Sequence, residues 1–574
     1  MSFIKKHWPI ILVALIVGIF SIMPLVFSLQ RMGDSFQGIW PQFNSDANFY
    51  LSRSHEVLDG HPEMNHQYFA EHKDATYPQA IGGEQFLAFL AQSLNISIPT
   101  ASALLTFIMP AIMAALFYAL LMMLYQNRAS AFILSLAMFT VISGGMIKPI
   151  HPMLSFPLLL VFLISWLYLV LKKNHKTASI ILCGTTLGLL FLTYFFHWSF
   201  LLVVLGIYSL ILLITKDYKA LKHHIIFLGV AAIVAIPFFI RLISGVDTPL
   251  YQDMALRMGV YATHWPETFP RLAVAVFWLA AFIAITRHYK LNRSKYSYII
   301  FTLLIANIIY PNHQVISGVT IENANHWSFM PIFIYAISAH YLINTIIDHT
   351  RAKRILIDKG IIGIIVIMLI VPAWRLQTFN FPSYKLNLAH VALEESQQHY
   401  AEALDWINNN TEVDSVVFSH AQFMEIVPIY THANVYYTQN APYLIGSDNE
   451  VVERTILSHF FDIDSFRNTN FGMNEVGRIL WTQPAMIERN IHWMHNKLNI
   501  AYEQKYSLKK ELAMVQSIYE SLQSEGWNLG LLQRYKLDYI VWDKALHTEW
   551  SLDIYPELEK LYSKGDIIIY GFKE

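Results

Sequence analysis

Charge and cysteine are what this chain has least of. Only 14% of its 574 residues are Asp, Glu, Lys or Arg, against about a quarter in an ordinary soluble domain. Hydrophobic residues make up 55%, and the mean hydropathy is +0.38. A water-soluble globule of this size is excluded, and a chain that crosses a bilayer many times is indicated. The single cysteine, Cys183, lies inside an apolar run. That excludes a disulfide framework and a thiolate-based metal centre, and reads as a small buried hydrophobe. Internal repeats, low-complexity tracts and long charge runs are missing too. With a formal net charge of −1, no nucleic-acid partner is expected.

What is abundant is apolar length. Segments long enough to span, about 17 to 25 residues, recur near 9–29, 101–125, 129–147, 153–171, 178–196, 198–215, 225–243, 269–286, 296–310, 329–347 and 360–376. The reading is an α-helical polytopic membrane protein of about eleven spans. The start, MSFIKKHW before an apolar run, lacks a small-residue cleavage site and reads as an uncleaved anchor. Basic residues gather in alternate connections: Lys5 and Lys6, Arg128, Lys172 to Lys176, Lys216 to Lys222, Arg287 to Lys295, and Arg351 to Arg354. By the positive-inside rule these are cytoplasmic, and all fall on one side of the count. The N-terminus is then cytoplasmic, in a plasma (inner) membrane. Acids, histidines and aromatics fill the outer connections.

Residues 1–376 read as the membrane domain, with a long first outer loop over 30–100. Residues 377–574 read as a soluble extracytoplasmic domain of mixed α/β type, periplasmic or extracellular. In it VALEESQQHYAEALDWINNN has helical period, as does 499–524. SVVFSH, NVYYTQ, LDYIVWD and DIIIYGF read as strands, with HANV as a turn. The pairs Ser419-His420 and Asp543-Lys544 lack a nucleophile-elbow context and carry no catalytic signal.

The first outer loop is a polar island. PQFNSDANFYLSRSHEVLDGHPEMNHQYFAEHKD, Pro41 to Asp74, holds six acids and four histidines. Ser45 to Leu58 suits a short helix capped by Ser45 or Asp46 and ended by Gly60 and Pro62. Asp46 would stand at its start, with Tyr50 and Arg53 projecting nearby. An acid in S-D-x-x-F-Y-L-x-R after an N-in first span, many further spans and an extracytoplasmic α/β tail together resemble the GT-C membrane glycosyltransferases. That class includes protein O-mannosyltransferases, aminoarabinose transferases and the catalytic subunit of oligosaccharyltransferase.

The resemblance implies transfer of a sugar from a polyprenyl-phosphate donor to an extracytoplasmic acceptor: a glycan, lipid or protein. It implies that Asp46 is the catalytic carboxylate, acting as a base or as a ligand of a divalent cation such as Mg2+ or Mn2+. Tyr50 and Arg53 are candidates to orient it. Lys148, His151 and His326 are candidates to contact the donor phosphate, with Arg241 and Arg257 also available. Two departures stand out. Asp46 is flanked by Ser45 and Ala47 where many relatives have adjacent acids, leaving Glu56 and Asp59 as candidate second acids, and the W-W-D signature of oligosaccharyltransferases is absent. A zinc site on His61, Glu63 and His66 fits no closed-site spacing. The competing readings are a transporter or flippase, which would place ionisable residues at mid-membrane depth on repeated broken helices, and a non-catalytic scaffold.

Overall fold

The structure, a computed structural model, describes residues 2–43, 46–171, 176–246, 248–266, 269–291, 293–321, 326–327, 330–349, 388–463, 470–503, 505–506 and 508–573. Helices stand at ten of the eleven apolar segments read from the sequence; the remaining one, 360–376, lies outside the described residues. In chain order they are α1 (Ser2–Met32), α2 (Ala47–Leu58), α3 (Gly82–Leu94), α4 (Ile98–Leu124), α5 (Arg128–Met146), α6 (Ser155–Leu171) and α7 (Lys176–Phe191). There follow α8 (Phe195–Ile214), α9 (Tyr218–Val234), α10 (Ile236–Val246), α11 (Pro249–Arg257), α12 (Phe269–His288), α13 (Lys295–Ile309) and a long helix over Met330–His349. Among the described residues five are long and apolar enough to cross a bilayer, or six if the bent pair α9–α10 is one span. The chain is a multi-pass membrane protein.

Local sequence sets the helix starts. Ser97, Asn127, Asp217 and Ser294 each accept a backbone N–H in the first turn of α4, α5, α9 and α13, removing one orphan donor per helix. Two boundaries differ from the sequence reading. The expected single span over 225–243 breaks at Ala235 into α9 and α10, bent by 61°, because Pro237 cannot donate to the helical ladder and crowds the preceding turn. The expected outer turn at Phe196 to Trp198 instead belongs to the first turn of α8, the connection being residues 192–194.

The tail carries a five-stranded sheet in the order β4-β3-β5-β7-β6. Its strands are β3 (Val416–Phe418), β4 (Asn434–Val435), β5 (Tyr539–Asp543), β6 (Leu558–Lys564) and β7 (Ile567–Phe572); β1 (Val260–Ala262) and β2 (Val319–Ile321) form a separate small ribbon. β4 and β5 run parallel to β3, while β7 is antiparallel to β5 and β6. Parallel strands need a crossover, and the helix Ala421–Tyr430 supplies it where the sequence reading had only strand and turn. A helix over Asn470–Leu498 and the strand β6 were also missed, and the helix expected over 499–524 is Leu508–Glu525.

Three apolar cores result. One fills the membrane bundle. A second belongs to the tail but includes Ile39, Tyr68, Phe69 and Tyr77 of the first outer loop. The third is small and joins Leu51 of α2, Leu87 of α3, Ala101 of α4, Ile150 and Ile429. This last cluster seats α2 on the membrane helices.

Candidate active site

Asp46 stands immediately before α2. Its backbone is in the α region (φ −87°, ψ −2°) and its side chain makes no capping bond, because a cap needs extended backbone to turn the oxygen back onto the first-turn N–H groups. Its carboxylate is ion-paired with the Nζ of Lys148. Asp46 is half exposed, at 50%, and Lys148 is only 15% exposed. The Lys148 ammonium lies 5.3 Å from the centre of the Tyr50 ring, so a cation–π contact steadies it from the protein side.

From this pair a wall of rings leads along the ends of the membrane helices. Tyr50 meets His151 edge-on at 5.3 Å, His151 stacks on Tyr194 at 4.5 Å, and the Tyr194 hydroxyl is 2.8 Å from His326 Nδ1. Phe196 stacks on the far side of His326 at 4.2 Å. Asp46, Tyr50, Lys148, His151 and His326, from three separate stretches of sequence, are thus brought into one chain of contacts. Burial, with the nearby Lys148 charge adding to it, holds the His151 imidazole well below its ordinary pKa. It is neutral at physiological pH, and its buried Nδ1 has no partner among the described residues. Burial raises the Tyr50 phenol, against an opposing pull from Lys148, so it stays protonated.

The connection that presents Lys148 and His151 is tightly held. Ile150 adopts φ +63°, a left-handed conformation that is an outlier for a β-branched residue and costs of order 1–3 kcal/mol. Against it packs Gly83, where an added Cβ would come within 2.5 Å of Ile150 Cγ2. Only glycine lets the start of α3 approach this closely.

A shallow open crevice lies beside the pair's sequence neighbours, on the side of the membrane helices. Leu25 of α1, Pro99 and Ala103 of α4, Ala47, Ile147 and Pro149 line it; these residues flank Asp46 and Lys148 in sequence. Its outer wall is the ribbon Trp40 to Phe43. That ribbon is pinned to the membrane helices by Trp40 Nε1 donating to Thr100 Oγ1 (3.0 Å). On the tail side the Tyr430 hydroxyl accepts from the Trp40 N–H (2.7 Å), and Gln398 bonds Gln37 and Ile39.

Other sequence candidates go elsewhere. Arg53 is fully buried and paired with Glu84 at 3.0 Å, with its guanidinium over Phe49 and Tyr77; it braces α2 against α3. Glu56 holds Lys73 and Asp59 holds His55, so neither joins Asp46. Arg241 is taken by Glu63 and the Tyr77 carbonyl. Arg257 is taken by Asp448 and by the carbonyls of Pro442 and Gly446. His61 meets Asp414, and His66 stacks on Phe69. Among the described residues no three His, Cys, Asp or Glu side chains gather into a metal-binding set. A hard cation wants about six oxygens; an aspartate facing an ammonium does not fit that demand.

One contributor was invisible in the sequence reading. Tyr194 links the two halves of the ring wall, its only signal being its place in the aromatic run TYFFHW. In the tail, Ser419, His420 and Asp543 do converge at the ends of β3 and β5, through Tyr400. The Ser419 hydroxyl, however, donates to the Val541 carbonyl, so this is no nucleophile.

No family model and no curated protein matches the sequence. Among solved structures, the chain is similar over 100% of its length to 75% of the archaeal oligosaccharyltransferase AglB from Archaeoglobus fulgidus in complex with an inhibitory peptide and a dolichol-phosphate, at TM-score 0.48 and 12% identity. Over 99% of its length it is similar to 98% of ArnT from Cupriavidus metallidurans bound to undecaprenyl phosphate, at TM-score 0.48 and 11% identity. The Archaeoglobus fulgidus enzyme tethered to an acceptor peptide aligns at TM-score 0.49 and 14% identity, covering 100% of this chain and 75% of that one. Scores of this size describe a similar course of the chain and identify no family.

Proposed function

We propose that this protein is an integral-membrane glycosyltransferase that moves a sugar from a polyprenyl-phosphate carrier to an acceptor outside the cytoplasm. The observation that carries the reading is the Asp46–Lys148 pair, whose sequence neighbours Ala47, Ile147 and Pro149 line a crevice against α1 and α4. In this reading the lipid chain runs along the membrane helices beside the crevice, and its phosphate turns toward Lys148. The glycosidic C–O bond to phosphate breaks with its electron pair passing to the phosphate oxygen. The acceptor oxygen bonds to the anomeric carbon and gives its proton to Asp46. Lys148 exchanges Asp46 for the departing phosphate, and neutral His151 hydrogen-bonds one of its oxygens.

In this reading residues 1–376 form the catalytic membrane part and 377–574 the outer part. The site faces away from the cytoplasm of a cell whose inner membrane holds the protein. The test is sugar release from a panel of polyprenyl-phosphate sugars by the purified protein in detergent, for wild type and Asp46→Asn. Release by wild type and its loss in a folded variant support the reading; equal release by both removes Asp46 from the chemistry.

A further inference from the structure

On the other side of the Trp40 to Phe43 ribbon lies a second, larger crevice of about 860 Å3 between the first outer loop and the tail. It shares Trp40, Gln42 and Phe43 with the first crevice. Ala47 lines the first and Asn48 the second, so the start of α2, with Asp46, stands at the joint between them. Two crevices on either side of one ribbon, beside the start of α2, give a layout that suits a two-substrate transfer.

The lining of the second crevice states what it can hold. Its polar groups are the amides of Gln42, Asn48, Gln397 and Gln439 and the carboxyl of Glu394, and no basic residue is among them. Glu425 stands behind, accepting from Asn48 Nδ2 at 3.4 Å. Amides both donate and accept, as sugar hydroxyls do. Trp40, Phe43 and Tyr430 add ring surface for the C–H faces of a pyranose. A phosphorylated or carboxylated acceptor would meet acids and no cation.

We infer that this crevice is the acceptor site and that it takes a neutral sugar, held by Gln439, Asn48 and Glu394 with its nucleophilic hydroxyl toward Asp46. The inference rests on the transferase reading above, whose acceptor it narrows to a glycan. Burial raises the Glu394 carboxyl to about 7, opposed by the Gln42 N–H, and burial also raises Glu425. Near neutrality about half of the Glu394 carboxyls are therefore protonated, and in that form the group donates and accepts like the amides around it.

The test is ligand-observed NMR on the full chain in lipid nanodiscs. The probes are methyl α-D-glucopyranoside, methyl α-D-mannopyranoside and methyl N-acetylglucosaminide, with glycerol phosphate and a neutral pentapeptide for comparison. At least one glycoside is expected to saturate wild type and Asp46→Asn alike. Its Kd should rise at least tenfold in Gln439→Ala and in Glu394→Leu, each preparation checked by a melting curve, while Glu394→Gln stays within threefold. Binding of no glycoside, binding of the peptide or glycerol phosphate instead, or glycoside affinity unchanged in Gln439→Ala and Glu394→Leu overturns the inference. Failure of sugar release with this binding intact sinks the transferase reading and leaves a sugar site. Sugar release without glycoside binding sinks the acceptor site alone.

Discussion

Replacing Lys148 by Met removes one charge and keeps the length of the side chain, so it isolates what the ammonium does. Its partner Asp46 is 50% exposed and is rehydrated once the ammonium has gone; an ion pair open to water on one side is worth about 0–1 kcal/mol. The variant should therefore melt within a few degrees of wild type. A charge-assisted hydrogen bond to the donor phosphate is worth roughly 1.5–3 kcal/mol, which at 1.36 kcal/mol per decade is about a 10- to 150-fold loss in kcat/KM for the donor. Lys148→Arg keeps the charge and should recover most of that loss, while the steepness of salt inhibition should flatten in Lys148→Met. The assay is initial-rate sugar release against donor concentration at two ionic strengths, with a melting curve on each preparation. If Lys148→Met leaves kcat/KM within threefold, or loses activity only in step with a stability loss above ~3 kcal/mol, the ammonium is structural and the phosphate role is wrong.

Three further outcomes follow from the packing. Gly83→Ala drives a methyl into Ile150; overpacking of this kind costs about 1–3 kcal/mol, and a displacement near 1 Å at His151 and Lys148 should cut sugar release by about 100-fold. The Glu394 carboxyl, raised from 4.5 to about 7, binds its proton more tightly folded than unfolded. Its stabilising contribution is complete below pH 4.5 and lost as pH rises to 7, so Glu394→Gln should gain melting temperature relative to wild type from pH 5 to pH 8. Arg454 is fully buried among Glu71, Glu450 and the rings of Phe69 and Tyr535. Arg454→Met leaves two acids without their cation and should cost about 3–5 kcal/mol, read as early proteolysis between the first outer loop and the tail.

Much of the architecture could be read from pattern because its signals are local. Apolar runs located the membrane helices, and β-branched and aromatic runs located β5 and β7. The bend at Ala235 was lost inside a continuous apolar run, although Pro237 was in view. β6 was missed because most of its residues face solvent, so no alternation marks it. The helix Ala421–Tyr430 was missed because it is buried on nearly all sides and contains Pro428, which masks its period. In the site, the residue types were legible and their partners were not. Asp46 and Lys148 are 102 positions apart, and nothing in either stretch encodes the pairing. Arg53 lies two turns after Asp46 on α2, which suggested a shared role, but its partner Glu84 comes from another helix, and burial of that pair decides where the guanidinium goes.

The apolar core that the first outer loop shares with the tail has a consequence in time. Tyr68, Phe69 and Tyr77 pack with Val416, Val417 and Phe418 of β3, some 340 positions later in the chain. At a synthesis rate of about 5–20 residues per second, the loop is made roughly 17–70 s before the strand it will bury itself against. During that interval three aromatic side chains wait uncovered beside the bilayer. Maturation of the site therefore waits for the tail, when β3 arrives to cover a loop that was made long before it.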